Sequence, residues 1–143
     1  MKVRHLLDAK GDSVYAVSSH ASLRQAVQLL KHFDVGALVV LGPEQELVGV
    51  LSERDVARRL CDDGHGALEK QVSGVMTREV VTCHPETPVT DLMALMTSER
   101  IRHVPVLDQG ALVGLVSIGD VVKSRIDELE HLQRDLLDYV GAR

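Results

Sequence analysis

The sequence predicts a mixed α/β (α+β) fold built from two copies of one βαββα unit. Three observations predict it. First, Leu47-Val48-Gly49-Val50-Leu51-Ser52-Glu53-Arg54-Asp55-Val56 lies against Leu112-Val113-Gly114-Leu115-Val116-Ser117-Ile118-Gly119-Asp120-Val121 with six of ten positions identical. Such self-similarity marks a repeated structural unit. Second, the same strand and helix patterns precede both stretches in the same order. Third, the 143-residue chain has no Trp, one Phe and two Tyr. Its core must then be aliphatic, as in small sheets covered by helices.

Along the chain, Val3–Leu7 resembles Val72–Met76, so each copy is expected to carry a short helical lead-in. Ser13–Ser18 and Glu79–Cys83 are β-rich runs. Ser22 and Gln25 have capping-box spacing, and Thr87-Pro88 sets a cap residue before a proline at a first helical position. Helices follow with apolar residues on one face: Leu23, Ala26, Val27 and Leu30, then Val89, Leu92, Met93 and Met96. Two strands come next in each copy, Ala37–Leu41 with Leu47–Ser52, and His103–Leu107 with Leu112–Val116. Gly42-Pro43 and Asp108-Gln109-Gly110 supply the turns. A second helix opens at each Ser-x-x-Asp. Polar, glycine-bearing residues Cys61–Gln71 are read as the inter-repeat linker. Ile126, Leu129, Leu132, Leu136 and Val140 form a stripe on a C-terminal amphipathic helix, which packs on its own domain or on a symmetry mate. The expected division is 1–66, 67–125 and a C-terminal helix over 126–143.

Composition narrows the function classes. Hydrophobic residues make up 45%, charged residues 26%, and the formal net charge is −5. That balance gives no support for nucleic acid or an anionic membrane as a partner. No apolar run approaches a membrane span, and the charged start has no signal-peptide core, so a cytoplasmic location is expected. Cys61 and Cys83 are read as reduced thiols, because they form neither a disulfide framework nor a metal-ligand spacing. Seven His are spread without a metal-binding cluster, and no metal site is expected.

The two Ser-x-x-Asp turns are the sharpest chemical features. Each is a helix-capping pattern. Each also places free N–H groups and a positive dipole end where a buried strand gives way to a helix, which suits a phosphate. A nearby Asp can accept both hydroxyls of a ribose. The two readings coexist.

With Gly49–Asp55, Gly114–Asp120 and Ile101-Arg102-His103-Val104-Pro105-Val106 in view, the chain resembles the CBS domain pair, or Bateman module. The resemblance implies pseudo-twofold repeats with sheets packed together and two clefts for adenosyl ligands. Each cleft would take its Ser-x-x-Asp from one repeat and its adenine pocket from the other. In the first, Asp55 would hold the ribose, and Ser52, Arg54, Arg58 and Arg102 would face phosphate. Val80, Val81 and Ile101 would sandwich adenine, with His103 and Pro105 beside them. His103 reads equally as a polar strand-end residue. The second cleft would use Ser117, Asp120 and Lys123 with Val14, Tyr15, Val35, Gly36 and Ala37. There Gly119 replaces Arg54, and Gly36-Ala37 replace Arg102-His103, so the sites are expected to be unequal.

The leading expectation is a non-catalytic regulatory module that binds AMP, ADP, ATP, NAD(H) or S-adenosylmethionine as effector, with no required cofactor. Its signal would pass to a protein partner or through a homodimer, which the resemblance also implies. The rivals are a nucleotide-processing enzyme using Asp55 or Asp120 as base, and a structural adaptor without ligand. Against the enzyme, neither repeat offers a second carboxylate or a His–nucleophile pair at useful spacing.

Overall fold

The chain forms two related units, βαββ and αββ, whose lead-in segments are exchanged. The structure, a computed structural model, describes residues 1–11 and 13–141. The first unit holds β1 (Ala16–Ser18), α2 (Leu23–Phe33), β2 (Ala37–Leu41) and β3 (Leu47–Ser52), followed by α3 (Glu53–Asp63). The second holds α4 (Val89–Glu99), β4 (His103–Asp108) and β5 (Ala111–Ser117), followed by α5 (Ile118–Gly141). A helix α1 (Val3–Lys10) precedes the first unit, and a 3-10 turn over Val72–Gly74 precedes the second.

In the first sheet β1 runs parallel to β2 and β2 antiparallel to β3. In the second, β4 pairs antiparallel with β5. The first-strand run Glu79–Cys83 does not become a strand. It is reduced to one parallel bridge, Cys83 to Val106. The cause is Pro105. In the first repeat the Val39 N–H donates to the Tyr15 carbonyl at 3.1 Å. Pro105 stands at the position of Val39, and without an N–H it cannot make the matching bond to Val81. Cys83 and Pro105 keep the bond in the other direction, at 3.0 Å.

Two further expectations are corrected, and the linker carries secondary structure. Thr87 does not cap α4: the cap is Pro88, because the Thr87 hydroxyl already accepts the His84 N–H at 3.0 Å. The stretch Cys61–Gln71, read as the inter-repeat linker, is structured. Helix α3 runs through Asp63 and a 3-10 turn covers Gly64–Glu69, with Ala67 fully buried and Lys70 ion-paired to Asp63. The C-terminal helix is not a separate element but the continuation of the helix that starts at Ile118. Ala142 and Arg143, the end of the expected segment, lie outside the described residues.

Each unit has its own aliphatic core, and each core is completed by the other unit's lead-in. Val72, Val75 and Met76 pack with Leu23, Leu38, Leu51 and their neighbours. Val3 and Leu6 pack with Leu92, Val104, Val116 and theirs. Backbone bonds fasten both exchanges. The Val72 N–H donates to Ala21 and the Ser73 N–H to Ser19, while the Val3 N–H donates to Thr87 and the Arg4 N–H to Pro85.

Both crossings pass over a glycine. A Cβ at Gly49 would lie 2.6 Å from the Met76 sulfur and 2.9 Å from the Thr77 carbonyl oxygen. A Cβ at Gly114 would lie 2.5 Å from a Leu7 methyl. The Leu-Val-Gly stretch that recurs in the sequence thus recurs for close packing. Gly49→Ala should cost about 1–3 kcal/mol in urea unfolding, the usual cost of overpacking. Gly66→Ala, where a Cβ meets nothing within 4 Å, should stay within about 0.5 kcal/mol.

Candidate functional site

Serine and aspartate at the start of α3 hold each other. Ser52 Oγ accepts the Asp55 N–H at 3.2 Å, and Asp55 Oδ2 accepts the Ser52 N–H at 2.9 Å and its hydroxyl at 3.0 Å. This capping box satisfies helix-end donors that would otherwise lack partners. It also fixes the carboxylate, with Oδ1 turned to the Thr77 hydroxyl at 3.3 Å. Thr77 arrives on the exchanged lead-in, whose backbone bonds with Val50 in both directions. The start of α3 is anchored by the Glu53 N–H donating to Gly36 at 3.0 Å, and the start of α5 by the Ile118 N–H donating to Arg102 at 2.8 Å.

Asp55 opens into a cleft of about 610 Å³ between the units. The cleft brings together every residue expected at the first site: Ser52, Arg54, Asp55, Arg58, Val80, Val81, Ile101, Arg102, His103 and Pro105. Val80, Val81 and Ile101 are half-buried, so they offer apolar surface without being sealed in the core. Because Pro105 breaks the strand pairing beside them, the backbone there is not used up by a sheet ladder. The sequence reading missed Val50, Glu53, Thr77, Glu79, Glu99 and Arg100, which also line the cleft. Thr77 had a usable signal, since it directly follows the lead-in that resembles Val3–Leu7.

The charge of the cleft differs from the expected cationic one. Arg54, Arg58, Arg100 and Arg102 face Glu53, Asp55, Glu79 and Glu99, so the formal charges balance. Even so, Arg54, Arg58 and Arg102 make no ion pair among the described residues. Arg59 and Arg78, outside the cleft, are committed to the backbone oxygens of Gly74 and Ser73. A wider depression of about 690 Å³ beside β1 and α2 has no carboxylate or guanidinium in its lining, which includes Ser18, Gln25, Gln28 and His32.

The second Ser-x-x-Asp forms the same box but meets a different partner. Asp120 Oδ2 accepts the Ser117 N–H at 2.8 Å, and Ser117 Oγ accepts the Asp120 N–H at 3.2 Å. Lys10, at the end of α1, then places its ammonium 2.8 Å from Asp120 Oδ2 and donates to the Leu115 carbonyl at 2.7 Å. Burial raises the Asp120 pKa, but the Lys10 and Ser117 hydrogen bonds outweigh it and hold the carboxyl below its ordinary value. Of the other residues expected here, Ala37 is buried in β2 and Tyr15 stacks on Phe33 with ring centroids 4.2 Å apart. Val14 and Val35 are half-buried, Lys123 is exposed on α5, and Gly36 lines the first cleft instead.

Gly36 and His103 meet where the two sites adjoin. A Cβ on Gly36 would come within 3.2 Å of the His103 ring, so the glycine leaves room for the imidazole. Burial pushes the His103 pKa below its ordinary value. Lys10 and Arg102 act in the same direction, and Asp120 and Glu53 oppose them. The ring therefore feels charges from both Ser-x-x-Asp sites.

Comparison with known proteins matches this architecture. A family model described as CBS domain covers residues 9–62 and again 72–127. The chain is 43% identical over 114 residues to the mitochondrial CBS domain-containing protein CBSX3 of Arabidopsis thaliana, covering 76% of this chain and 55% of that protein. The chain thus spans about half the length of that relative. It is 34% identical over 119 residues to the CBS domain-containing protein YhcV of Bacillus subtilis, covering 83% and 84%. Among solved structures, a CBS-domain-containing protein of Agrobacterium tumefaciens superposes with a TM-score of 0.85 at 40% identity, covering 87% and 92%. The CBS domain pair of protein MJ0100, solved in complex with 5′-methylthioadenosine and S-adenosyl-L-methionine, superposes with a TM-score of 0.80 at 25% identity, covering 90% and 98%. Two family matches in tandem, on two units that exchange their lead-ins, place this chain in the CBS-domain family as a domain pair.

Proposed function

We infer that the chain is a non-catalytic sensor whose first cleft binds one adenine nucleotide of low phosphate charge, with AMP the best fit. The single observation that carries this reading is the convergence around Asp55. A fixed carboxylate, a half-buried Val80–Val81–Ile101 surface and four arginines that make no ion pair among the described residues share one cleft between the units. Asp55 Oδ1 is available to ribose hydroxyls, the aliphatic surface fits an adenine face, and Arg54, Arg58 and Arg102 suit a phosphate. The equal count of carboxylates in the lining disfavours a triphosphate. The adenosyl ligands bound by the MJ0100 domain pair support the ligand class. A ligand lodged between the units would bias their relative placement by its differential affinity for the two arrangements. That bias is the signal passed to a partner protein or through the oligomer.

Catalysis is disfavoured by the surroundings of Asp55. Its close polar neighbours are the hydroxyls of Ser52 and Thr77, and its Oδ2 is held by the cap. The second site is the weaker one, because Lys10 already occupies the Asp120 carboxylate.

Calorimetric titration with AMP should show one site per chain. Asp55→Ala should weaken it about 10- to 100-fold, the value of hydrogen bonds to a charged acceptor. Asp120→Ala should leave the AMP affinity within about threefold. Equal losses from the two changes, or no heat with AMP, ADP, ATP, NAD and S-adenosylmethionine alike, would refute the reading.

Lys10→Met frees the Asp120 carboxylate. It should add a second, weaker adenosyl site to the titration without altering the first. A stoichiometry unchanged at one per chain would show that Lys10 is not what keeps the second site closed.

A further inference from the structure

Histidine is the side chain whose charge changes near neutral pH, and among the described residues His103 is the one histidine in the lining of the first cleft. Its ring stands at the start of α3. Glu53, the first residue of that helix, donates its N–H to the Gly36 carbonyl at 3.0 Å. A Cβ added at Gly36 would come within 3.2 Å of both Nε2 and Cε1 of His103, and 3.9 Å from a Glu53 carboxylate oxygen. The imidazole thus lies beside the positive end of α3. It makes no hydrogen bond among the described residues, and neither ring nitrogen is sealed from solvent. A group placed this way is free to answer to a ligand.

Four charged groups act on the ring. Lys10 from α1 and the adjacent Arg102 disfavour a second ring proton, while Asp120 from α5 and Glu53 from α3 favour one. Burial, the largest influence, tips this balance toward the neutral ring. A phosphate changes the sum. It carries about −1.5 to −2 charge near neutrality, and a helix start is where it is best received. Held at the start of α3, it sets a negative group beside an imidazole whose charged neighbours otherwise oppose each other two against two. We propose that nucleotide binding in this cleft is proton-linked: His103 is neutral in the free protein and takes up a proton when the phosphate of AMP docks at the start of α3. The inference rests on the AMP reading and adds pH as a variable that regulates the site. Its sign follows from linkage. A group that holds its proton more tightly in the complex strengthens binding as pH falls through its bound-state pKa, and the gain is complete below the free-state value. One linked proton changes affinity by at most about tenfold per pH unit.

Calorimetry of AMP binding near neutral pH, in two buffers of different ionisation heat, counts the protons exchanged. The parent chain should take up about half a proton more than His103→Gln. Its AMP affinity should rise about three- to tenfold between about pH 8 and about pH 6.5, and His103→Gln should lose most of that rise. Taking the difference between the two proteins removes the ionisation of the phosphate itself, which both share. Proton NMR of the parent chain follows the ring directly and needs no variant. The His103 Hε1 resonance should titrate at higher pH with AMP than without it. Adenosine, which lacks the phosphate, should give no such rise. A titration that AMP does not raise, an equal rise with adenosine, or equal proton uptake in parent and variant would overturn the proposal and leave the AMP reading standing. AMP that does not bind would overturn both.

Discussion

Everything in this molecule depends on the exchange of lead-ins across two glycines. Gly49 lets Met76 and the Thr77 backbone lie on β3, and Gly114 lets Leu7 lie on β5. Neither core is complete without the segment supplied by the other unit. The units are therefore joined through buried aliphatic contacts rather than through a flexible tether. A cleft so built can report on a ligand, because filling it alters the balance between two packed bodies.

The same exchange explains why two similar repeats give dissimilar sites. Each lead-in ends beside the aspartate of the other unit's Ser-x-x-Asp turn. One delivers Thr77, whose hydroxyl meets Asp55 and leaves the cleft open. The other delivers Lys10, whose ammonium takes the Asp120 carboxylate and the Leu115 carbonyl together. A hydroxyl can yield to a ribose, whereas a paired ammonium must first give up a charge-assisted bond. His103 stands beside Gly36, which makes room for it, and it feels Lys10 and Asp120 on one side and Glu53 and Arg102 on the other.

Much of the fold was legible in the sequence because it rests on periodicity. Helices α2 and α4 span Leu23–Phe33 and Val89–Glu99, where the apolar spacing places them, and β2 and β3 end where the pattern ends. The capping at Ser22, Ser52 and Ser117 followed from residue type and spacing. What failed depended on partners distant in sequence. Glu79–Cys83 has strand composition, but Pro105, more than twenty residues away, removes the donor that would pair it. Thr87 looks like a cap until His84 claims its hydroxyl. Lys10 sits in a lead-in with no motif, and only the fold carries it across to Asp120. The carboxylates of Glu53, Glu79 and Glu99 come from three separate segments, so the neutral charge of the cleft was not visible along the chain.

The central claim is that the cleft at Asp55 is the nucleotide site and the one at Asp120 is closed by Lys10. A crystal structure of the full chain grown with AMP tests it most directly. The account predicts ribose on Asp55, adenine against Val80, Val81 and Ile101, and an intact Lys10–Asp120 pair. Nucleotide at Asp120 with Lys10 displaced, beside a vacant first cleft, would contradict it.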